Sequence, residues 1–465
     1  MTAASPDLPT EIMSWIAEVT GAVGVHAHRR PGGARREAWL IDVDGRDGTQ
    51  EHLFLRFDSS DPAESGDPFT LDREARFYAA LQDAAVPVPR LIASHPILQA
   101  ILCSRVEGET WFSRLKDEEG RLAIAREFMS TLAELHRVDP ARVMIDEPRG
   151  PLRVCVESDI SRWESLYRFG NPPKDPTIEF GLVWLKANIP DVDIAPVIVQ
   201  GDTGPGNFLY QDGHITAVLD WELAHFGDPM ADLGWLALRA VQEPFTNFAD
   251  RLTDYETFSG APVDFDRLRY YRLFAEFKVV ILGYRRTLDD DLLGEVGNAL
   301  IYETLHNTLF SDALAELNGL GEAVPPDLES EPTERQWVYD AALAQLRDII
   351  VPGIDDPFVA QRGKGLARMI KYLREADRRG RAAERLELDA LSAQLGRRPS
   401  SVPGGRQALA ERISAAALGD LGLIDYVRTR AHIQHALMRP AMGVLADRRF
   451  DELPDEVPVH PGGAL

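Results

Sequence analysis

Between residues 23 and 60, apolar residues alternate with polar ones in "VGVHAHR", "EAWLIDV" and "HLFLRF", the period-two pattern of half-buried strands. Glycine-bearing turns separate these runs: "RRPGGARR", which holds Gly32 and Gly33, and then "DGRDGTQ". Past Thr70 the period lengthens. "LDREARFYAAL" spaces its apolar residues three and four apart, and a threonine ahead of such a run with Glu74 four positions on predicts a capped helix. "ILQAILCSRVEGET" then returns to a strand and a connection. Residues 1–95 therefore read as a small antiparallel β lobe carrying one helix.

From residue 120 the helical period dominates, in "LAIAREFMSTLAELHRVD", "DISRWESLYRFG" and "PTIEFGLVWLKANI". Strands reappear at "VIVQGD" and in "NFLYQDGHITAVLDW", which has the outline of a hairpin turning at Asp212-Gly213. Helices follow at "DPMADLGWLALRAV", "FDRLRYYRLFAEFKVVILGYRR" and "GNALIYETLHNTLFSDALAEL", so residues 96–320 read as a larger helical lobe. "GLGEAVPPDLESEPTE", residues 319–334, has the Pro/Glu-rich composition of a linker. Beyond it, helical segments at about 335–351, 357–379, 381–396, 406–418 and 423–447 predict an all-α bundle over 335–450, with a flexible tail at 451–465.

Charge sharpens this division. Residues 331–465 carry 20 Lys/Arg against 19 Asp/Glu, so the net charge of −24 resides in residues 1–330, which carry 30 basic and 55 acidic residues. Such an excess of acid argues against nucleic-acid binding. No run of about 18 apolar residues and no charged-then-apolar leader occurs, and two cysteines are too few for a disulfide framework. A cytoplasmic protein with no membrane contact is expected.

Three polar residues interrupt the apolar runs of "VIVQGDTGPGNFLYQDGHITAVLDWE": Asp202, Asn207 and Asp220. Burying an unpaired carboxylate costs several kcal/mol, so acids at strand ends meet a cation, a proton donor or a metal. Phosphoryl transfer from ATP needs a group to orient the acceptor hydroxyl, oxygen ligands for Mg²⁺ and a cation on the phosphates. The Asp-x₄-Asn spacing sets an acid for the hydroxyl and an amide for the metal in one short loop. Asp220 arrives from the returning hairpin strand.

"QGDTGPGNF" with "VLDWELAHFGDPMADLGW", supported by "LAELHRVDP", resembles the aminoglycoside phosphotransferase family, in the branch that also occurs fused to acyl-CoA dehydrogenases; the likeness covers roughly residues 20–320. It implies a two-lobed protein-kinase-like α+β fold followed here by the all-α bundle, itself similar to a helical domain of unknown function found with such kinases. It further implies that Asp202 is the catalytic base, that Asn207 and Asp220 bind Mg²⁺, and that Asp232 braces the catalytic loop. In the nucleotide lobe, Gly32 and Gly33 look like the phosphate-covering turn, Arg56 holds the strand position usually given to Lys, and Glu74 looks like its helix partner. Gly204 and Gly206 would let the loop bend. Gln200 stands where the family usually has His.

Other residues read as structural: Asp228 as a helix N-cap, His136 as a core brace, His214 and His225 as solvated or structural, Trp221 and Trp235 as packing. The implied function is ATP/Mg²⁺-dependent phosphorylation of a small-molecule hydroxyl, on a hydroxyacyl thioester or an aminoglycoside-like compound. The alternative is a nucleotide-binding pseudokinase that acts as a scaffold through its bundle. The bundle is also the expected route to any homo-oligomer.

Overall fold

The computed structural model describes residues 8–30, 36–58, 66–288, 294–413 and 421–453. In chain order it begins with α1 (Thr10–Thr20), β1 (Gly24–Arg30), β2 (Glu37–Asp44), β3 (Gln50–Phe57), α2 (Leu71–Leu81), β4 (Leu91–His95) and β5 (Ala100–Ser104). Next come α3 (Glu118–Leu135), α4 (Leu152–Arg168), α5 (Pro176–Ala187), β6 (Val197–Val199), β7 (Phe208–Gln211), β8 (His214–Val218) and β9 (His225–Gly227). The rest is helical: α6 (Pro229–Gln242), α7 (Phe248–Ser259), α8 (Phe265–Arg286), α9 (Val296–Leu317), α10 (Gln336–Gln345), α11 (Pro357–Leu395), α12 (Val402–Ile413) and α13 (Leu421–Met442). Two compact units result, one of residues 1–169, 191–268 and 451–465, the other of 170–190 and 269–450.

In the first unit a five-stranded antiparallel sheet runs in the order β1-β2-β3-β5-β4. Alternation decides what each face carries. Trp39, Ile41 and Val43 on β2 and Leu53, Leu55 and Phe57 on β3 point to one face, where Ile12, Trp15 and Ile16 of α1 cover them. Arg56 must then point to the opposite face, the one covered by α2 through Leu71 and Ala75 against Ile101 and Cys103. Thr70 caps α2 by accepting the Arg73 amide at 3.2 Å, so the predicted helix begins and ends as read from its pattern. Helix α1 had no counterpart in the sequence reading.

Two short antiparallel pairs, β6–β9 and β7–β8, carry the polar loop. Asp212 (φ 52°) and Gly213 (φ 82°) both adopt left-handed backbone, as a two-residue hairpin turn requires. Asp228 caps α6 through the Met230 amide at 2.9 Å, in keeping with its structural reading.

The second unit is helical. A Cβ on Gly181 of α5 would stand 2.3 Å from the Phe277 ring of α8, so only glycine lets these helices approach so closely. Arg430 on α13 forms a two-pronged ion pair with Asp175, the N-cap of α5, at 2.9 and 2.7 Å, and His432 reaches Asp312 on α9 at 2.8 Å. The two segments expected at 357–379 and 381–396 are one helix of 39 residues, α11. Gly380 does not break it, because an interior glycine costs a helix only about 1 kcal/mol. None of the described helices is long and apolar enough to cross a membrane. The expected tail beyond Leu453 lies outside the described residues.

Candidate active site

Residues 200–207 link β6 to β7 and turn sharply. At Gly201 (φ 81°) a Cβ would lie 2.4 Å from the Leu223 carbonyl, and at Gly204 (φ 135°) it would lie 2.9 Å from Cβ of Arg239. The second glycine therefore lets α6 close on the loop until Arg239 reaches Asp202. Asp232 fixes the loop from beneath. Its carboxylate accepts the amides of Gln200 at 3.0 Å and Gly201 at 2.9 Å and the Thr203 hydroxyl, and it bonds His136 Nε2 at 3.0 Å. Burial pushes the Asp232 carboxyl up, but these donors outweigh it and hold it below the usual carboxylate range.

Gln200 does the bracing expected of a histidine. Its amide nitrogen donates to the carbonyls of Leu219 (3.0 Å) and Asp220 (2.9 Å), and its oxygen accepts the Asp202 amide at 2.9 Å. The loop and the Asp220 segment are thereby tied to one side chain. Asn207 donates Nδ2 to the Asp202 carbonyl at 2.7 Å, which commits its nitrogen and turns its oxygen elsewhere.

Asp202 is buried at 8% exposure, yet it is not isolated. Trp235 Nε1 reaches Oδ1 at 2.5 Å, Arg239 Nε reaches the same oxygen at 2.9 Å, and Arg239 Nη2 reaches it too. Burial raises the Asp202 pKa, Arg239 pulls it back, and Asp220 adds to the rise; the net direction is upward. The packing role read for Trp235 is thus incomplete: its ring is buried, but its N–H orients the acid. Trp221 does pack, fully buried, with its N–H on the Val218 carbonyl at 3.2 Å.

Arg56 collects the acids on the sheet face covered by α2. It pairs with Glu74 at 2.5 Å, Asp220 at 2.9 Å and Glu222 at 3.1 Å, so the expected Arg56–Glu74 partnership is present and extends further. Arg36, at the start of β2, adds a second guanidinium, 2.7 Å from Glu222 and 3.4 Å from Glu74. Burial raises the Glu74 carboxyl and, with Asp220 close by, pushes Glu222 up to about 7. Burial also penalises ionised Asp220, but Arg56 overrides it and holds that carboxyl low. Asp220 itself adopts left-handed backbone (φ 61°), uncommon for a residue with a side chain and typical of functional sites. Gly32 and Gly33 lie outside the described residues.

Sequence reasoning missed Glu222, Arg36 and Arg239. Glu222 follows Asp220 by two positions within a motif already singled out, and Arg239 lies two helical turns beyond Asp232 on α6, so both signals were available. Nothing local marks Arg36, whose role depends on strand register. Among the described residues no group of three His, Cys, Asp or Glu side chains is arranged to hold a metal by itself.

Residues 26–271 match the model of the phosphotransferase enzyme family. Acyl-CoA dehydrogenase family member 11 of Rattus norvegicus is 29% identical over 185 residues, covering 36% of this chain and 23% of that protein. Its Mus musculus counterpart is 32% identical over 120 residues, covering 25% and 15%. The chain thus spans about a quarter or less of these relatives. Among solved structures, a thermostable mutant of aminoglycoside phosphotransferase APH(4)-Ia in ternary complex with ADP and hygromycin B is 20% identical, with 61% of this chain and 94% of that one aligned at a TM-score of 0.42.

Proposed function

The chain belongs to the phosphotransferase enzyme family, and on that premise we propose that it transfers the γ-phosphoryl group of ATP, with Mg²⁺, to a hydroxyl of a small molecule. One observation carries the reading: three N–H donors from Trp235 and Arg239 converge on Oδ1 of the buried Asp202 and fix the orientation of its carboxyl beside the Asn207 loop. The acceptor oxygen attacks the γ-phosphorus, its bond to the ADP oxygen breaks, and the hydroxyl proton passes to Asp202. Orientation and charge neutralisation supply most of the catalysis in such transfers.

A carboxylate and an amide oxygen suit Mg²⁺, which takes few protein ligands and completes its shell with phosphate oxygens and water. Asp220 and Asn207 would hold it, Asn207 through the oxygen left uncommitted by its bond to the Asp202 carbonyl. The ion would neutralise phosphate charge. Arg56 would bind phosphate as a two-pronged donor, kept in place by Glu74. Gly32 and Gly33 would cover the phosphates.

The acyl-CoA dehydrogenase names of the relatives favour a hydroxyacyl thioester as acceptor; an aminoglycoside-like compound is the second choice. A pseudokinase scaffold draws support from the Arg56–Asp220 pair, which engages the metal carboxylate with a cation of the protein's own. An acceptor screen scored by ADP release separates the two readings. Release above the no-acceptor rate supports catalysis, whereas ATP binding with no release on any acceptor supports the scaffold.

A further inference from the structure

Residues 336–374 form a helical hairpin. Arg374 on α11 reaches Asp340 on α10 at 3.4 Å, and at the turn Gly363 lies against Val351. Helices carry an apolar stripe that must be buried against something. Within this hairpin only Leu346 is buried. Trp337 is 72% exposed, Ile349 68%, Phe358 53%, Leu373 52% and Leu366 47%, a concentration of large apolar side chains that isolated surface residues do not produce.

Two further features identify the occupant. Val359, Leu366 and Leu373 recur every seven residues along α11, the seam spacing of helices that pair along their length. Charge is also divided between the arms. Residues 336–356 hold Asp340, Asp348, Asp355 and Asp356 against a single Arg347, while 357–374 hold Arg362, Lys364, Arg368, Lys371 and Arg374 with no acid. A partner must therefore be helical, offer a matching apolar stripe and set acids opposite the cations of α11. A second copy of the hairpin supplies all three: a two-fold axis lays the acidic arm of one copy on the basic arm of the other, twice over, closing a four-helix bundle. The acids at the hairpin turn disfavour an anionic membrane in its place.

We propose that the chain is a homodimer joined through the 336–374 hairpin. Sedimentation velocity of the full chain over a concentration series tests this independently of phosphoryl transfer. Wild type should sediment at twice the chain mass, and the double substitution Leu366→Glu, Leu373→Glu should raise the dissociation constant by about tenfold or more, since it sets carboxylates on apolar contacts. If that variant loses its helical circular dichroism, Val359→Ser with Leu366→Ser replaces it and is held to the same expectation. Ile97→Glu and Met144→Glu, on exposed residues elsewhere, should leave the dimer intact. A wild type monomeric throughout, even one that binds anionic vesicles, overturns the proposal; so does a dimer that survives a folded hairpin variant or that the control substitutions abolish equally.

Discussion

Trp235 donates its indole N–H to Oδ1 of Asp202 at 2.5 Å, on the oxygen that also receives Arg239. One face of the carboxylate is thereby filled by the protein, and the acid cannot rotate without breaking bonds to both residues. Arg239→Gln should lower kcat by about 10²-fold, the scale of a misaligned reacting group, and leave the KM for ATP unchanged. The sign of the pH effect follows from the ionisation. A base works deprotonated, burial raises the Asp202 pKa and Arg239 opposes that rise, so removing Arg239 moves the acid limb of the kcat/KM profile to higher pH. Arg239→Lys should restore part of the limb. A merely structural role would change stability and leave the limb where it was.

Metal binding can be read by calorimetry. Asp220→Ala should weaken Mg²⁺-dependent ATP binding strongly, because it removes the anionic ligand; Asn207→Ala should do so less, being neutral. Equal Mg²⁺-dependent binding in wild type and Asp220→Ala would remove the metal from this position.

Arg56 answers three carboxylates at once. Arg56→Met leaves Glu74 and Glu222 to the guanidinium of Arg36, removes the ion pair to Asp220, and should cost about 3–5 kcal/mol of stability by urea denaturation, the range for breaking a buried ion pair. Arg56→Lys keeps the charge but loses the planar fork, and should cost less. A stable Arg56→Met protein would show that the acids are protonated or solvated rather than paired.

Cutting the chain in the linker after residue 325 removes Arg430 and leaves Asp175 at the start of α5 without its partner. Arg430→Met in the full chain should lose about 3–5 kcal/mol, the range for breaking a buried ion pair, and the fragment 1–325, which also loses His432 from Asp312 and the buried side chains of α13, should lose more. Hydrogen exchange over residues 170–190 reports the loss locally.

Much of the site was legible because its residues lie in two short motifs whose spacing carries the chemistry: Asp202 with Asn207, and Asp220. The strands were legible because β2 and β3 bury every second residue, which also decides the side from which Arg56 projects. What escaped depends on the folded chain. Arg36 reaches Glu222 across 186 residues, and Arg430 reaches Asp175 across 255; no local period reports such pairs. The segments expected at 357–379 and 381–396 are continuous because helix runs on both sides of Gly380, and extending a helix already formed costs less than starting a second one. The division of the chain at residues 319–334 remains a proposal from composition and charge.

The account rests on Asp202 as the base of a phosphoryl transfer, and the direct measurement is phosphorus NMR of ATP, Mg²⁺ and a responsive acceptor with wild type and Asp202→Asn side by side. Wild type should convert the γ-phosphate into a phosphomonoester of the acceptor, with ADP in equal amount. Asp202→Asn should bind Mg·ATP as tightly and form the ester about 10²–10⁴ times more slowly, the usual loss of general-base help. An Asn variant that phosphorylates the acceptor at the wild-type rate would contradict the account.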